Sequence, residues 1–453
     1  MKEWQRLVHV CQRWRRIIYG LPSFFDLHLC CSAQTPYRNN LSHWPEFPLT
    51  LHYVVSQDTL QEDEYEDMDI FFSLLDRNRV HRIELIVTDV FRTPLMDQVK
   101  EVFILPFPVL THLDITGPDE EFDDVPIRLP ELVAPRLQHL RLDAFTYPPL
   151  LDFLSSAHRL VSLQLENIPE EGYIAPGDLV GGLASLSSLR TLCIKFPLWL
   201  ALLERERLSP DPSTHAVLPA LTHFVFRGKC DYLEALVTHI STPQVEDVQI
   251  EYLMPDDDHE HPVEVEAREL SQFIDRTGYL GFAQFSRAQV IFDLRKTHIK
   301  LDRPQGKYHQ AQFSLTLRYT GPLPLAKLNF PVPRIARVLG QLVVVFSDVG
   351  HLSINVENHG KTDRFETAKW FPLLRLFPAV EALHVSGRLA GHFATVLDDI
   401  AEKRVTDVLS ALGSLHLGDG DELVGFADLF LAWRRYTGRP VTVVKSSQDR
   451  FVE

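Results

Sequence analysis

A few short runs in this sequence carry residue types that could do chemistry. Asn358-His359-Gly360-Lys361-Thr362 ends like a loop that cradles phosphate between backbone N–H groups and a lysine. The first glycine of G-x-x-x-x-G-K-T would stand at position 355, where Asn355 sits, so the cradle lacks its tight turn. Gly418-Asp419-Gly420 lacks the third glycine of a dinucleotide fingerprint, and its carboxylate would repel a pyrophosphate. His259-Glu260-His261 beside Asp256, Asp257 and Asp258 brings metal donors together, but without the i,i+4 histidines of H-E-x-x-H on a helix. No G-x-S-x-G elbow presents a serine nucleophile. These runs therefore assign no catalytic, cofactor-binding or metal-binding residue, and the expectation is a protein that is not an enzyme.

Acidic runs at 58–69, 119–124, 256–260 and 419–422 each follow an expected strand and precede an expected helix. Carboxylates there are favoured by the positive end of the helix dipole. If the loops stack, Asp63, Asp123, Asp257 and Asp421 line one rim open to a basic partner.

The elements that must position any site are written in a repeat. Apolar-x-x-apolar-x-apolar begins at Val80, Leu110, Leu137, Leu160, Leu189, Leu221 and Val245, and again at Val349, Val380 and Leu412. Its last two apolar positions alternate, the period of a strand with one buried face. Neighbouring copies lie roughly 23 to 32 residues apart, near the range of leucine-rich repeats. Between them, 152–160, 178–189, 232–240, 265–274, 335–346 and 423–433 carry helical spacing, with prolines such as Pro331 and Pro333 just ahead. Strand, loop, helix, loop implies parallel pairing through right-handed crossovers. The expected fold class is α/β: a leucine-rich-repeat-like solenoid, an irregular horseshoe with a parallel sheet and outer helices, rather than a doubly wound sheet.

Residues 251–350 are less regular, with a helix expected at 265–277, strands near 288–294 and 313–319, and a polar connection over 300–312. Asn167 falls one residue early for an asparagine ladder, and Phe145 occupies the corresponding place after Leu142. His112, His139 and His223 each precede a buried apolar residue and read as structural. On the strand face turned from the core, Glu84, Asp114, Arg141, Asp143, Gln164, Glu166, Lys195, Arg227 and Gln249 would line the concavity that meets a protein partner.

Composition bounds the function. The 453 residues are 45% hydrophobic, enough for a large core, and carry a net charge of −16. That charge disfavours non-specific binding to nucleic acid or to an anionic membrane. The cysteines Cys11, Cys30, Cys31, Cys193 and Cys230 have neither zinc-type nor C-x-x-C spacing, which points to a reducing compartment. No apolar stretch approaches the ~20 residues of a membrane span, and arginines interrupt the N-terminal apolar residues. The expected location is cytoplasmic or nuclear.

At the N-terminus, Trp4, Leu7, Val8, Cys11, Trp14 and Ile18 make one helical stripe that Gly20 and Pro22 end. The run Leu7-Val8-His9-Val10-Cys11-Gln12-Arg13-Trp14-Arg15, then Leu21-Pro22-Ser23-Phe24-Phe25-Asp26-Leu27, resembles the second half of an F-box. With Trp44-Pro45-Glu46-Phe47-Pro48-Leu49 and the repeats that follow, the chain is similar to the F-box, leucine-rich-repeat proteins of mushroom-forming fungi. The resemblance implies a partial F-box-like segment at 1–27, a repeat array at 28–445 and a tail at 446–453. It implies a substrate-recognition subunit of an SCF-type ubiquitin ligase, with Leu7, Val10, Cys11, Trp14 and Pro22 toward a Skp-family adaptor and an unknown protein substrate on the repeats. The first F-box helix, of L-P-x-E-I-L type, has no counterpart in the sequence. Weak or absent adaptor binding, restored by adding that helix, is therefore expected. The alternative is a repeat scaffold with no ligase role.

Overall fold

The computed structural model describes residues 11–14, 29–31, 48–55, 78–87, 103, 106–117, 127–128, 132–146, 150–198, 214–254, 267–277, 285–293, 295–303, 312–319, 331–342, 346–357, 366–385, 389–417 and 427–445. The chain divides into two compact units, Met1–Pro197 with Pro212–Ala220, and Leu198–Asp211 with Leu221–Glu453.

In the first unit, strands β1 (Leu29–Cys31), β2 (Leu49–Val55), β3 (Val80–Val87), β4 (His112–Thr116), β5 (His139–Asp143), β6 (Ser162–Glu166) and β7 (Thr191–Lys195) pair side by side in chain order. Every pair is parallel. The repeated motif sets the register. Ile83, Leu113, Leu140, Leu163 and Leu192 are successive cross-strand partners, and Leu85, Ile115, Leu142, Leu165 and Ile194 form the next rung. Both rungs are buried, so a slip of one residue would turn a row of leucines to solvent. Strands β5 and β6 end on left-handed residues, Ala144 (φ 60°) and Asn167 (φ 47°). Asparagine tolerates that conformation, and here it adds a bond: Asn167 Nδ2 donates to Asp143 Oδ1 on the preceding strand at 2.9 Å.

Helices α1 (Leu150–Ser156) and α2 (Pro176–Leu183) follow β5 and β6 and pack on each other. Pro176 starts α2 where a missing N–H costs nothing. A Cβ at Gly182 would lie 3.3 Å from Leu154 Cδ1, so glycine permits the close approach of the two helices. The expected helices at 152–160 and 178–189 exist, but stop at Ser156 and Leu183. Their apparent continuation came from Leu160 and Leu189, which are buried as the first apolar residues of the next motif copies.

The second unit contains β8 (His223–Gly228), β9 (Asp247–Met254), β10 (Arg287–Phe292), β11 (Lys296–Asp302), β12 (Gln312–Tyr319), β13 (His351–Val356), β14 (Ala382–Val385), β15 (Ser414–Leu417) and β16 (Thr442–Lys445). Its spatial order is β8-β9-β12-β11-β10-β13-β14-β15-β16. Strand β12 pairs parallel with β9 and β10 pairs parallel with β13, while β11 runs antiparallel between β12 and β10. The expectation of one uninterrupted parallel series is corrected here. The expected polar connection at 300–312 also begins as strand, because Thr297, Ile299 and Leu301 are buried in alternation with Lys296, His298 and Lys300. A turn closed by Asp293 N–H donating to Lys296 O at 2.9 Å sends the chain back. The motif copies themselves stay parallel and in register, Leu352, Leu383 and Leu415 sharing one rung.

Helices α3 (Cys230–Thr238), α4 (Arg268–Arg276), α5 (Pro331–Gln341), α6 (Phe371–Arg375), α7 (Leu389–Glu402) and α8 (Asp428–Tyr436) cover this unit's core. Pro331 and Pro333 lie inside the first turn of α5 rather than ahead of it. Successive helices are tied by carboxylates at N-termini, where the dipole favours them. Glu234 of α3 accepts from the Glu269 and Leu270 N–H groups of α4 at 2.6 and 3.1 Å, and Asp398 of α7 accepts from Phe430 N–H of α8 at 3.0 Å. Near the last strand, Arg434 is 3% exposed and donates to the carbonyls of Leu412 (2.6 Å), Arg439 (3.1 Å), Ser410 and Leu409.

Candidate protein-binding face

Strand alternation that buries one row of leucines must turn the next row outward. In the first unit Glu84, Asp114, Arg141 and Gln164 are cross-strand partners on that outward face, and Asp143 and Glu166 pair one step further along. Arg141 is the hub. Its guanidinium lies 3.0 Å from Asp143 Oδ2, 3.4 Å from Glu166 Oε2 and 3.6 Å from Asp114 Oδ1, and Lys195 Nζ lies 3.2 Å from Glu166 Oε1. The Cys193 thiol, buried on the same face, donates to Glu166 Oε1 at 3.6 Å.

Burial separates the three acids. It raises the Asp114 carboxyl against the pull of Arg141, and it raises Asp143 despite the bond from Asn167. Burial would raise Glu166 too, but Lys195 and Arg141 together outweigh it and hold that carboxyl below its usual range. Arg141 itself is raised: burial opposes its charge, but Asp114, Glu166 and Asp143 more than offset it. Next to this network Arg82 Nε donates to Glu84 at 2.6 Å and His52 Nδ1 lies 3.1 Å from the same carboxylate. His112 and His139 stack across adjacent strands at 4.2 Å and 11°. Burial first, and Arg82 second, lowers His139.

The second unit continues the alternation with different content. Gln249 Nε2 donates to Asp247 at 3.0 Å, and Arg318 on β12 is ion-paired with Glu251 on β9. On β11, His298 Nδ1 lies 2.8 Å from Thr316 Oγ1 and Lys300 Nζ lies 3.2 Å from Asp302. Ser353 Oγ and His384 Nδ1 are 3.4 Å apart, with the His416 ring 6.5 Å from that of His384.

The structure thus brings Glu84, Asp114, Arg141, Asp143, Gln164, Glu166 and Lys195 onto one face of the first unit, and sets Arg227 and Gln249 outward in the second. Asp143 is only 8% exposed and its oxygens are taken by Asn167 and Arg141, so it braces the network instead of presenting a group. Sequence reading missed Arg82 and Cys193, and it missed the whole outward row of β10 to β12. The signal was present as Lys296-x-His298-x-Lys300, a strand alternation written in cations.

Residues 12–14 are helical, and Cys11 and Trp14 are exposed, Trp14 at 44%. Leu7, Val10 and Pro22 lie outside the described residues. So do the runs at 256–261, 358–362 and 418–420, and the acidic positions Asp63, Asp123, Asp257 and Asp421. Among the described residues no three or more His, Cys, Asp or Glu side chains group as for a metal, and no helix is long and apolar enough to cross a membrane. An apolar cleft beside α1, lined by Leu142, Phe145, Leu150, Leu165, Ile168, Gly172 and Ile174, brings no charged group to a ligand. No protein-family model matches the sequence, and no curated protein matches it.

Proposed function

We propose that the chain is a non-catalytic, intracellular protein-binding scaffold built as an irregular leucine-rich-repeat array, and that it serves as a substrate-recognition subunit of an SCF-type ubiquitin ligase. The observation that carries the repeat reading is the register. Equivalent apolar positions of successive motif copies stand opposite one another, which leaves a continuous row of polar side chains facing outward within each unit. Such a row, half-exposed and partly self-paired, suits a protein surface with many weak polar contacts. The ligase half of the reading rests on Val10-Cys11-x-x-Trp14-Arg15 and on the exposure of Trp14 beside Cys11. A scaffold without a ligase role rests on the polar faces alone and needs no adaptor.

Adaptor capture separates the two. The chain, and a version with an L-P-x-E-I-L-type helix fused before Met1, are tested for co-purification with a Skp-family adaptor. The extended version is expected to be retained, and Trp14→Ala to weaken retention by about 2 kcal/mol or more, as for an aromatic at an interface core. An extended chain that still ignores the adaptor leaves only the plain scaffold.

A further inference from the structure

The outward row of β10, β11 and β12 carries Arg287, Lys296, Lys300 and Arg318 against one carboxylate, Asp302. This is an inversion of the whole chain, whose net charge is −16. Two of these cations are satisfied at home, Lys300 by Asp302 and Arg318 by Glu251. The other two have no carboxylate partner among the described residues. Arg287 stands opposite Asp302 in register, but Lys300 holds that carboxylate. Lys296 stands directly opposite Arg318, and like charges facing each other across a strand pair are destabilising. The neutral groups between them, Gln289, Ser314 and Thr316, offer hydrogen bonds without adding charge.

Geometry narrows what could settle there. Lys296, His298 and Lys300 occupy alternate positions of a single strand, so their Cα atoms step by about 7 Å. An extended peptide with carboxylates at alternate positions has the same step. The chain's overall negative charge repels long polyanions at a distance, whereas a short acidic stretch meets only the local field. We propose that the outward face of β10 to β12 is a docking strip for an extended, carboxylate-rich segment of a partner protein. The proposal rests on the reading of the outward strand face as partner-binding, and names the partner's chemistry.

The test is fluorescence anisotropy of the full chain with a labelled peptide of alternating glutamate and serine. Binding that weakens with added salt is expected. The double variant Lys296→Gln/Lys300→Gln should lose about tenfold or more in affinity, and Arg287→Gln several-fold, neither with a lowered melting temperature, because the side chains are outward and Lys296 faces the like charge of Arg318. Lys403→Gln, on α7 and paired with Asp399, should bind as the wild type does. Unchanged affinity in both Lys296→Gln/Lys300→Gln and Arg287→Gln overturns the strip. So does tighter binding of a single-stranded oligonucleotide than of the peptide. Binding that appears only after Asp256, Asp257 and Asp258 are changed to Asn would assign the strip to this chain's own acidic run, and overturns it as a partner site. Adaptor capture through Trp14 is read separately, so loss of one activity leaves the other measurable.

Discussion

The two units solve the same problem of strand pairing and end with opposite surfaces. In the first, each strand pairs with the next in the chain, and the outward charges close on one another: Arg141 spans three carboxylates and Lys195 takes the remaining side of Glu166. In the second, β11 runs back between β10 and β12, and the outward row of these three strands is left with cations in surplus. Regular repetition favours charge pairs between equivalent positions, because each outward side chain meets its counterpart from the next copy. Strands β10 to β12, called the insert below, break that repetition, and their charges close less completely: Lys300 meets Asp302 and Arg318 meets Glu251, while Arg287 and Lys296 meet no carboxylate among the described residues.

The largest effects test whether the insert shares the same kind of core as the repeats. Leu163→Ala in the first unit and Leu315→Ala in the insert should each cost about 2 to 5 kcal/mol, as for fully buried leucines. Denaturant titration measures both, and a cost below about 1 kcal/mol at Leu315 would mean the insert is a surface addition. Next comes a contrast of two arginines. Arg434→Leu strands several carbonyls that the guanidinium satisfied and should cost about 2 to 3 kcal/mol. Arg287→Gln, an outward cation, should change stability by less than about 0.5 kcal/mol.

Two smaller effects depend on pH. Asp143 has a raised pKa in the folded state, so it contributes stability at low pH that is lost as pH rises through the folded value. Asp143→Asn keeps one acceptor where Asn167 and Arg141 use two, so it should cost about 1 kcal/mol at neutral pH, and the deficit should grow on acidification because the variant lacks the titrating carboxyl. Melting temperatures across the acid range give the comparison; Glu166, whose folded pKa is lowered, contributes the opposite slope. On the insert, burial first, then Lys296 and Lys300, lowers His298, with Glu251 opposing. Its charge appears only in the acid range, adding to those of Lys296, Lys300, Arg318 and Arg287 against Glu251 and Asp302. Acidic-peptide binding should thus tighten as His298 takes up its proton on acidification, and His298→Gln should flatten that rise.

Much of this fold was legible from spacing alone. Every apolar position of the motif copies from Val80 to Leu417 is buried, because each strand needs two inward residues whatever its neighbours are. Helix ends were less so, since Leu160 and Leu189 keep helical spacing while belonging to the next strand's approach. Helix α7 was missed although Leu389, Phe393, Val396, Leu397 and Ile400 keep the helical period, with Gly391 interrupting its first turn. The strand reversal was not readable, because Thr297, Ile299 and Leu301 alternate alike in either direction. On the site, residue types marked the outward row of the first unit, but which acids close on Arg141 depends on contacts some 25 residues apart in the chain.

The reversed strand order also sets a sequence of events for folding. In the first unit, Arg141 finds Glu166 only 25 residues away, so each new strand can be added to the edge left by the one before it in the chain. In the second, the edge of β9 waits for β12, and Glu251 and Arg318 are 67 residues apart. Closing that longer loop costs only about 0.9 kcal/mol more by chain entropy. The kinetic consequence is larger, because β10 and β11 have no place to pair with the existing edge until β12 arrives. A chain emerging from synthesis would hold β9 open through that interval, with its hydrogen-bonding edge unpaired and exposed to misassociation and to chaperone capture.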